Sequence, residues 1–244
     1  MNVLLTGGSR GIGRAAVRAL HAAGATVLFT YNRESEQARS LCDELGSRAF
    51  AERCDMANHD ALPSLVDTAL ERLGSIDVLV NNAGIYTENP FFGNDYASWR
   101  AGWQHTFDVN LFGAANLTFL VMQHMRTRKH GKIVNVVSRS SHRGELTYAD
   151  YAASKAALNN LTKSIARSCA SDGIIAISIA PGFIETDMAA EALEEYGASV
   201  KAEIPMGYVG TPGEVASIIA FFASDAAKYA NGATIDVNGG SYVR

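Results

Sequence analysis

The glycine-rich stretch that decides the fold reads Thr6-Gly7-Gly8-Ser9-Arg10-Gly11-Ile12-Gly13. It follows an apolar run at residues 3–5 and precedes a helical pattern that starts at residue 14. Glycines allow a tight turn and a close approach of the backbone to a ligand. The free N–H groups and the positive dipole end of a helix that starts here favour a phosphate. The stretch therefore predicts a dinucleotide pyrophosphate site, and an ordinary strand-to-helix turn is the alternative.

Short apolar runs and longer helical patterns alternate along the rest of the chain. The runs do not alternate polar and apolar residues, which is typical of strands buried on both faces of a parallel sheet. They predict strands at residues 3–5, 26–29, 49–51, 78–80, 133–137, 174–179 and 234–237. The clearest helical patterns cover residues 14–23, 34–45, 62–73 and 151–170. This order predicts an α/β fold, a doubly wound parallel sheet with helices on both faces.

The composition limits the classes of protein that fit. Apolar residues make up 48% of the 244 residues and charged residues 19%, which argues against intrinsic disorder. The net charge of -4 argues against a protein made mainly to bind nucleic acid. We find no Pro/Gly-rich linker, repeat or low-complexity segment. One Rossmann domain over residues 1–244 is therefore expected.

Cysteine and histidine positions point to a reduced protein without a metal. Cys42, Cys54 and Cys169 are widely spaced and form no Cys-x-x-Cys pair, as expected for reduced cytosolic thiols. The six histidines form no i, i+4 pair and no ligand cluster. No signal peptide is visible, and no apolar stretch approaches the ~20 residues that span a membrane. We expect a cytoplasmic protein with no membrane partner.

Three side chains could supply the proton for a carbonyl reduction. Tyr151 and Lys155 share one face if they lie on a helix, and Ser138 precedes the tyrosine by thirteen residues. A nearby ammonium favours the phenolate, so it should lower the tyrosine pKa from its usual ~10. The serine hydroxyl can hydrogen-bond a substrate oxygen that gains negative charge. A plain pair on a helix surface is the alternative for Tyr151 and Lys155.

Six ordered motifs resemble those of the short-chain dehydrogenase/reductase family. They occupy residues 6–13, 54–56, 81–84, 108–111, 151–155 and 181–186, with Ser138 before the fifth. The resemblance implies a catalytic set of Asn110, Ser138, Tyr151 and Lys155, in which Asn110 holds a water that links Lys155 to solvent. It also implies a homotetramer. The implied cofactor-binding residues are Gly7, Ser9, Arg10, Gly11, Ile12, Gly13, Asn32, Arg33, Asp55, Met56, Asn82, Ala83, Gly84, Tyr151, Lys155, Pro181, Gly182, Ile184 and Thr186.

The end of the second predicted strand indicates the nicotinamide cofactor. NAD-specific proteins of this architecture usually place an acidic residue here for the ribose 2′-hydroxyl. This chain has Asn32 and Arg33, and its first acid, Glu34, is expected to start a helix. Arg33 and Arg10 suit a 2′-phosphate, so NADP(H) is predicted. A solvated turn is the alternative for Arg33.

Within the family, the resemblance is strongest to 3-oxoacyl-(acyl-carrier-protein) reductases, on residues 186–188 and 204–207. It implies NADPH-dependent reduction of a 3-oxoacyl thioester, carried by acyl-carrier protein or coenzyme A, in fatty acid biosynthesis. A family member acting on a sugar, polyol or other secondary alcohol or ketone is one alternative. A cofactor-binding regulatory module without turnover is another. The basic run at residues 126–130 could meet an acidic carrier protein or be a solvated loop, and Ser171 and Asp172 stand where related reductases carry a second basic residue.

Two further segments each allow two interpretations, and a third is expected to be mobile. Residues 85–103 are longer than the common family pattern and form either a pocket wall or a surface excursion with core aromatics. Arg139, His142 and Arg143 provide either surface charge or recognition of an acidic substrate or a phosphopantetheine arm. Residues 186–207 are expected to form a mobile substrate lid, with a short helix that Gly197 ends.

Overall fold

A parallel sheet of seven strands forms the centre of the computed structural model, which describes residues 1–243 except the side chains of Glu191, Ala192 and Tyr196. The strand order is β3-β2-β1-β4-β5-β6-β7, and every pair is parallel. The predicted α/β class is confirmed. The strands are β1 (Asn2–Leu5), β2 (Thr26–Tyr31), β3 (Ala49–Arg53), β4 (Val78–Asn81), β5 (Gly131–Val136), β6 (Ile174–Pro181) and β7 (Thr234–Val237).

Helices cover both faces of the sheet. The predicted helix at residues 62–73 has the bounds of α3, and the other three predicted helices differ from α1, α2 and α7 by one to three residues at an end. The helices are α1 (Gly11–Ala22), α2 (Ser35–Leu45), α3 (Leu62–Leu73), α4 (Tyr96–Phe107), α5 (Ala114–Arg128), α6 (Ser140–Arg143), α7 (Ala149–Ser168), α8 (Ala190–Ala202) and α9 (Pro212–Ala223).

Burial on both faces explains why the strands read as unbroken apolar runs. In β1, Val3 and Leu5 point into the core under α1 and α9, whereas Leu4 points into the opposite core under α3 and α5. All three side chains are fully buried. Each such side chain contributes on the order of 1.5–3 kcal/mol of burial free energy. A polar residue at any of these positions would therefore be costly on either face.

The chain order of the strands reverses between β1 and β4, and this reversal opens a crevice at their carboxyl ends. Ligands of open α/β sheets bind in this crevice. The loops that follow β1 to β6 all reach this edge of the sheet. Four of the six sequence motifs lie at these strand ends, and the other two lie on the turn at residues 108–113 and on α7.

Two expectations about local structure are wrong. Gly197 does not end its helix, because α8 continues to Ala202. The basic run is not a solvated loop before a strand, because α5 extends to Arg128 and Lys129 caps it in the left-handed conformation. Within residues 1–243, no helix has the length and apolar character that crossing a membrane requires.

Candidate active site

A cavity of about 570 Å³ fills the crevice at the carboxyl edge of the sheet. Every residue that the sequence predicts as cofactor-binding lines it, and so does Ser138. Asn110 is fully buried behind the cavity wall. The structure therefore brings the predicted residues together from the loops that follow β1 to β6, from α7 and, for Asn110, from the turn before α5.

The glycine loop leaves room for an anion at the start of α1. Gly7 has a φ of +71°, and a Cβ there would lie 2.9 Å from the Cα of Ala83. A Cβ on Gly13 would collide with the carbonyl oxygen of Gly7. Among the described residues, no side chain caps α1 and no acid lies in its first turn. The loop thus fits a pyrophosphate, with backbone N–H groups as the donors.

Thr6 and Asn82 tie this loop to the turn after β4. The Thr6 hydroxyl accepts hydrogen bonds from the backbone N–H groups of Asn82, at 3.1 Å, and Ala83, at 3.0 Å. The Asn82 amide nitrogen donates to the carbonyl oxygens of Thr6, at 3.0 Å, and Gly7, at 2.9 Å. Two loops from neighbouring strands therefore form one hydrogen-bonded unit.

Asn110 fixes the same turn from behind. It lies in a π-helical turn between α4 and α5. Its side chain accepts from the Ile85 N–H at 2.8 Å, donates to the Ile85 carbonyl at 3.0 Å, and donates to the Ser154 hydroxyl at 3.2 Å. A Cβ on Gly84 would lie 3.2 Å from Asn110 Oδ1 and 3.3 Å from Lys155 Nζ. Glycine at this position therefore leaves the space that the Asn110 amide and the Lys155 amine occupy.

Ser138, Tyr151 and Lys155 meet at the inner end of the cavity. Tyr151 and Ser138 share a side-chain hydrogen bond. The Lys155 amine lies 5.8 Å from the centre of the Tyr151 ring and donates to the Val136 carbonyl at 2.9 Å. Because Ser138 follows β5 and the other two lie on α7, the contact between β5 and α7 sets this geometry.

Burial is the largest cause of the pKa shifts of Tyr151 and Lys155. It raises the pKa of Tyr151 to about 12, and the hydrogen bond from Ser138 opposes that rise. It also lowers the pKa of Lys155 to about 8. The expectation that Lys155 lowers the tyrosine pKa is therefore wrong for this structure, in which burial is the largest cause of the shift and the Lys155 amine donates to a backbone carbonyl.

Sequence reasoning missed the aromatic wall beside Tyr151. The ring of Tyr86 stacks on Tyr148 with centroids 3.8 Å apart and meets the Tyr151 ring edge-on at 4.7 Å. Burial, followed by the charge of Glu145, raises the pKa of Tyr86. The position of Tyr86 two residues after the Asn82–Gly84 turn was the available signal, since the family resemblance implies that this turn lies at the nicotinamide side.

Arg139 is buried, so it is not the surface charge that one interpretation of the sequence expects. Its residue exposure is 3%, and it lines the cavity directly after Ser138. Its guanidinium carbon lies 4.6 Å from the centre of the Phe183 ring. Arg143 is exposed, and the His142 ring stacks parallel to Tyr242 at 5.9 Å. These three basic residues therefore have different environments.

At the other end of the cavity, Arg10 and Arg33 accompany an acid. Arg33 is exposed, and Arg10 lies 3.3 Å from the Glu34 carboxylate and 3.8 Å from that of Asp187. Glu34 precedes α2, which begins at Ser35, and lines the cavity. Glu34 therefore does not start the helix, and its carboxylate neutralises part of the positive charge at this end.

The long segment at residues 85–103 does not place its aromatics in the core. Phe91 and Phe92 are exposed, whereas Trp99 and Trp103 are half-buried and contact each other with centroids 5.4 Å apart. The expectation of core aromatics is therefore wrong. The beginning of the segment, through Thr87, does line the main cavity.

Two arginines of the basic run at residues 126–130 pair with acids. Arg126 lies 3.4 Å from Asp172 and Arg128 lies 2.7 Å from Asp77.

In the predicted lid segment at residues 186–207, Leu193 and Val200 pack with Ile204 in a small apolar cluster, and Met188 lines the cavity. Tyr196, predicted to cover substrate, lies outside the described side chains. No group of three metal-ligating side chains occurs among the described residues.

Known proteins are similar to this chain in sequence over nearly its whole length. The family described as enoyl-(acyl carrier protein) reductase matches residues 7–242. The chain is 37% identical over 240 residues to 3-oxoacyl-(acyl-carrier-protein) reductase FabG of Escherichia coli (strain K12), covering 98% of this chain and 96% of that protein. It is 36% identical over 245 residues to the same-named protein of Staphylococcus aureus, covering 99% and 98%.

A solved structure agrees over the whole chain. The short-chain dehydrogenase/reductase described as a glucose/ribitol dehydrogenase from Brucella melitensis superposes with a TM-score of 0.90 at 33% identity. The match covers 100% of this chain and 97% of that one. With the parallel sheet, the glycine loop and the Tyr151–Lys155 helix in place, the chain belongs to the short-chain dehydrogenase/reductase family.

Proposed function

We propose that this protein is an NADPH-dependent carbonyl reductase that converts a 3-oxoacyl thioester to the 3-hydroxyacyl form. The observation that carries the proposal is the meeting of Ser138, Tyr151 and Lys155 at the inner end of a cavity whose other end is an open glycine loop. The identity of 36–37% to 3-oxoacyl-(acyl-carrier-protein) reductases supports the substrate class.

The residues of the inner end suit proton delivery in the direction of reduction. The nicotinamide cofactor, when bound, supplies the hydride. Tyr151, with a pKa raised to about 12, stays protonated at neutral pH and can donate its proton to the substrate oxygen. Ser138 donates a hydrogen bond to the same oxygen, where negative charge develops. Lys155 and Asn110 position this group, and their proposed part in proton supply follows from the family resemblance.

The residues of the outer end fit the cofactor that we propose. The open N-terminus of α1 can bind the pyrophosphate, and Asp55 and Met56 line the cavity after β3. Arg10 and Arg33 can pair with a 2′-phosphate, since guanidinium groups bind phosphate oxygens bidentately. The contact between Arg10 and Glu34 must then be exchanged for a contact with the phosphate.

The preference for an acyl thioester over a sugar rests on the identity to 3-oxoacyl-(acyl-carrier-protein) reductases. The cavity lining carries both aromatic side chains, Tyr86 and Phe183, and polar ones, Arg139, Ser140 and Glu145. In the basic run, Asp172 and Asp77 already hold Arg126 and Arg128. A carrier-protein contact therefore has less free charge to use there than the sequence indicates.

The deciding experiment is a turnover panel with purified protein. NADPH oxidation would be followed with acetoacetyl coenzyme A, with an acetoacetyl carrier protein, and with sugars, polyols and simple ketones. We expect the thioesters to give the highest kcat/KM. A preference for a sugar or polyol would support the alternative, and NADPH binding without turnover of any compound would indicate a regulatory module.

A further inference from the structure

Arg139 is a buried charge with an incomplete set of partners. Within the described part of the chain, its Nη1 atom has no hydrogen-bond acceptor and no contact with solvent. Its Nη2 atom lies 4.0 Å from the Glu203 carboxylate, too far for a hydrogen bond. A buried guanidinium donor without an acceptor is costly, so an acceptor is expected when the cavity is filled.

The position of Arg139 limits the source of that acceptor. The residue lines the cavity and follows Ser138 directly in the chain. Phe183 covers one face of the guanidinium and belongs to the segment between β6 and α8. For the guanidinium to face the reacting group, this segment has to shift when substrate enters. The missing acceptor can then come from the substrate.

The surrounding charges argue for a neutral acceptor. Arg143 lies 3.9 Å from Glu145 and 3.7 Å from Glu203. The Ser140 hydroxyl also donates to Glu145. Two arginines thus face two glutamates, so the group has no excess positive charge to attract a carboxylate. A carbonyl oxygen accepts a hydrogen bond without upsetting this balance.

We propose that Arg139 is a specificity-determining residue that donates a hydrogen bond to the thioester carbonyl oxygen of a 3-oxoacyl substrate, while Ser138 and Tyr151 bind the ketone oxygen. The inference rests on the proposed function and extends it. A 3-oxoacyl thioester carries its two carbonyl groups on either side of one methylene. Adjacent residues at the end of β5 can therefore address both oxygens. A simple ketone satisfies Ser138 but leaves Arg139 unpaired, which selects against it.

The test compares two substrates that differ in this carbonyl alone. One is the acetoacetyl thioester of N-acetylcysteamine, and the other is the matching thioether ketone, in which a methylene replaces the thioester carbonyl. Wild type, Arg139→Met, Arg139→Lys and the control Arg143→Met would be compared by kcat/KM. The control removes an arginine that contacts the same Glu203 but does not line the cavity.

We expect Arg139→Met to lower kcat/KM for the thioester by about 10- to 100-fold and to leave the thioether ketone nearly unchanged. Arg139→Lys should restore part of the loss, and Arg143→Met should change both substrates equally. Thermal unfolding, and NADPH binding followed by fluorescence, would show whether each variant is folded. If Arg139→Met does not fold, Arg139→Gln, whose shorter side chain lacks the guanidinium, carries the comparison, and Arg139→Lys remains the rescue variant.

Two results separate the inference from the proposed function. Equal loss on both substrates, or no loss on the thioester, would overturn the role of Arg139 and leave the reductase assignment intact. Failure of the wild-type protein to reduce the thioester would overturn the proposed function, and the assignment of Arg139 with it.

Discussion

At the scale of single residues, the proton donor is set by burial more than by its neighbour. Tyr151 has its pKa raised to about 12 and shares a hydrogen bond with Ser138. A phenol that holds its proton is suited to donating it to a developing alkoxide. The same pKa disfavours the reverse reaction, which needs the phenolate, so oxidation of the alcohol should become faster as pH rises.

Tyr151→Phe should lower turnover by about 10²- to 10⁴-fold, because the ring remains and the transferable proton is lost. NADPH binding, measured by fluorescence titration, should change little. Tyr148→Phe is the matched control, since it removes the hydroxyl of the ring stacked on Tyr86. A Tyr151→Phe variant with most of the wild-type turnover would refute the role of Tyr151 as the acid.

The buried amine of Lys155 predicts a pH dependence of stability in the protein without cofactor. Its pKa is lowered to about 8, whereas the unfolded chain keeps this proton up to about 10.5. Because the unfolded state binds more protons between these values, the free energy of unfolding rises with pH there. In Lys155→Met that contribution is absent.

Urea unfolding at pH 7 and pH 9.5 checks this expectation. The stability of Lys155→Met relative to wild type should be about 2 kcal/mol less favourable at pH 9.5 than at pH 7. Both pH values lie below the pKa of Tyr151 in the folded protein, which burial raises to about 12. A stability difference that does not depend on pH would show that Lys155 keeps an ordinary pKa.

Arg33→Asp should weaken the use of NADPH by about tenfold and improve the use of NADH, because it removes a phosphate partner and adds an acceptor for the ribose hydroxyl. Arg39→Asp makes the same charge change at an exposed site on α2 that does not line the cavity. Steady-state kinetics with both cofactors decide the outcome. An equal effect of both substitutions would indicate a general charge effect.

At the scale of elements, α8 and its flanks form a unit that packs mainly on itself. Leu193, Val200, Ile204 and Val209 contact Phe183 in a cluster separate from the two large cores beside the sheet. Glu203 reaches Arg139 and Arg143 only at 4.0 Å and 3.7 Å. A unit with few fixed contacts to the main body can open without unfolding it.

Hydrogen exchange should therefore show weak protection of residues 186–207 in the free protein and stronger protection with NADPH and a substrate analogue. The change follows from the contacts that a filled cavity adds to Met188 and Phe183. Helix α3, which lies on the opposite core, serves as the internal control. Strong and equal protection of the segment in both states would identify it as a fixed wall.

At the scale of the whole molecule, exposed aromatic side chains favour a homotetramer. Phe112 is exposed in the turn before α5, Phe119 is exposed on α5, and Phe221 is exposed on α9. Val215, Ile219 and Phe222 are buried within the chain, so only part of the apolar surface of α9 is open to a partner. Contiguous exposed apolar surface is typical of subunit interfaces.

Light scattering coupled to size exclusion should give the mass of four chains at micromolar concentration. Phe119→Glu should shift this mass downward, because a charge would then lie in the buried interface. Gln123→Glu, one helical turn away and exposed, adds the same charge without removing apolar surface. A monomeric wild-type protein would contradict the prediction.

The sequence predicted those features that depend on local pattern and missed those that depend on distant contacts. Val3, Leu4 and Leu5 of β1 are all apolar because both faces of the strand are buried, so the run itself indicates the parallel sheet. Gly197 carries no such information, because packing of Leu193 and Val200 on Ile204 extends the helix past it. From the sequence alone, Arg139 is interpreted as a surface residue. In the structure it is covered by Phe183, which is distant in sequence.

The hydrogen bonds of Thr6 and Asn82 give the two ends of the cavity a common frame. A nucleotide fragment that fills only the phosphate end would stiffen the turn that carries Gly84, and Gly84 lies against the Lys155 amine. Adenosine 2′,5′-bisphosphate should then promote binding of reduced nicotinamide mononucleotide, and the mononucleotide should promote binding of the bisphosphate by the same factor. The two halves of the cofactor would cooperate without being joined.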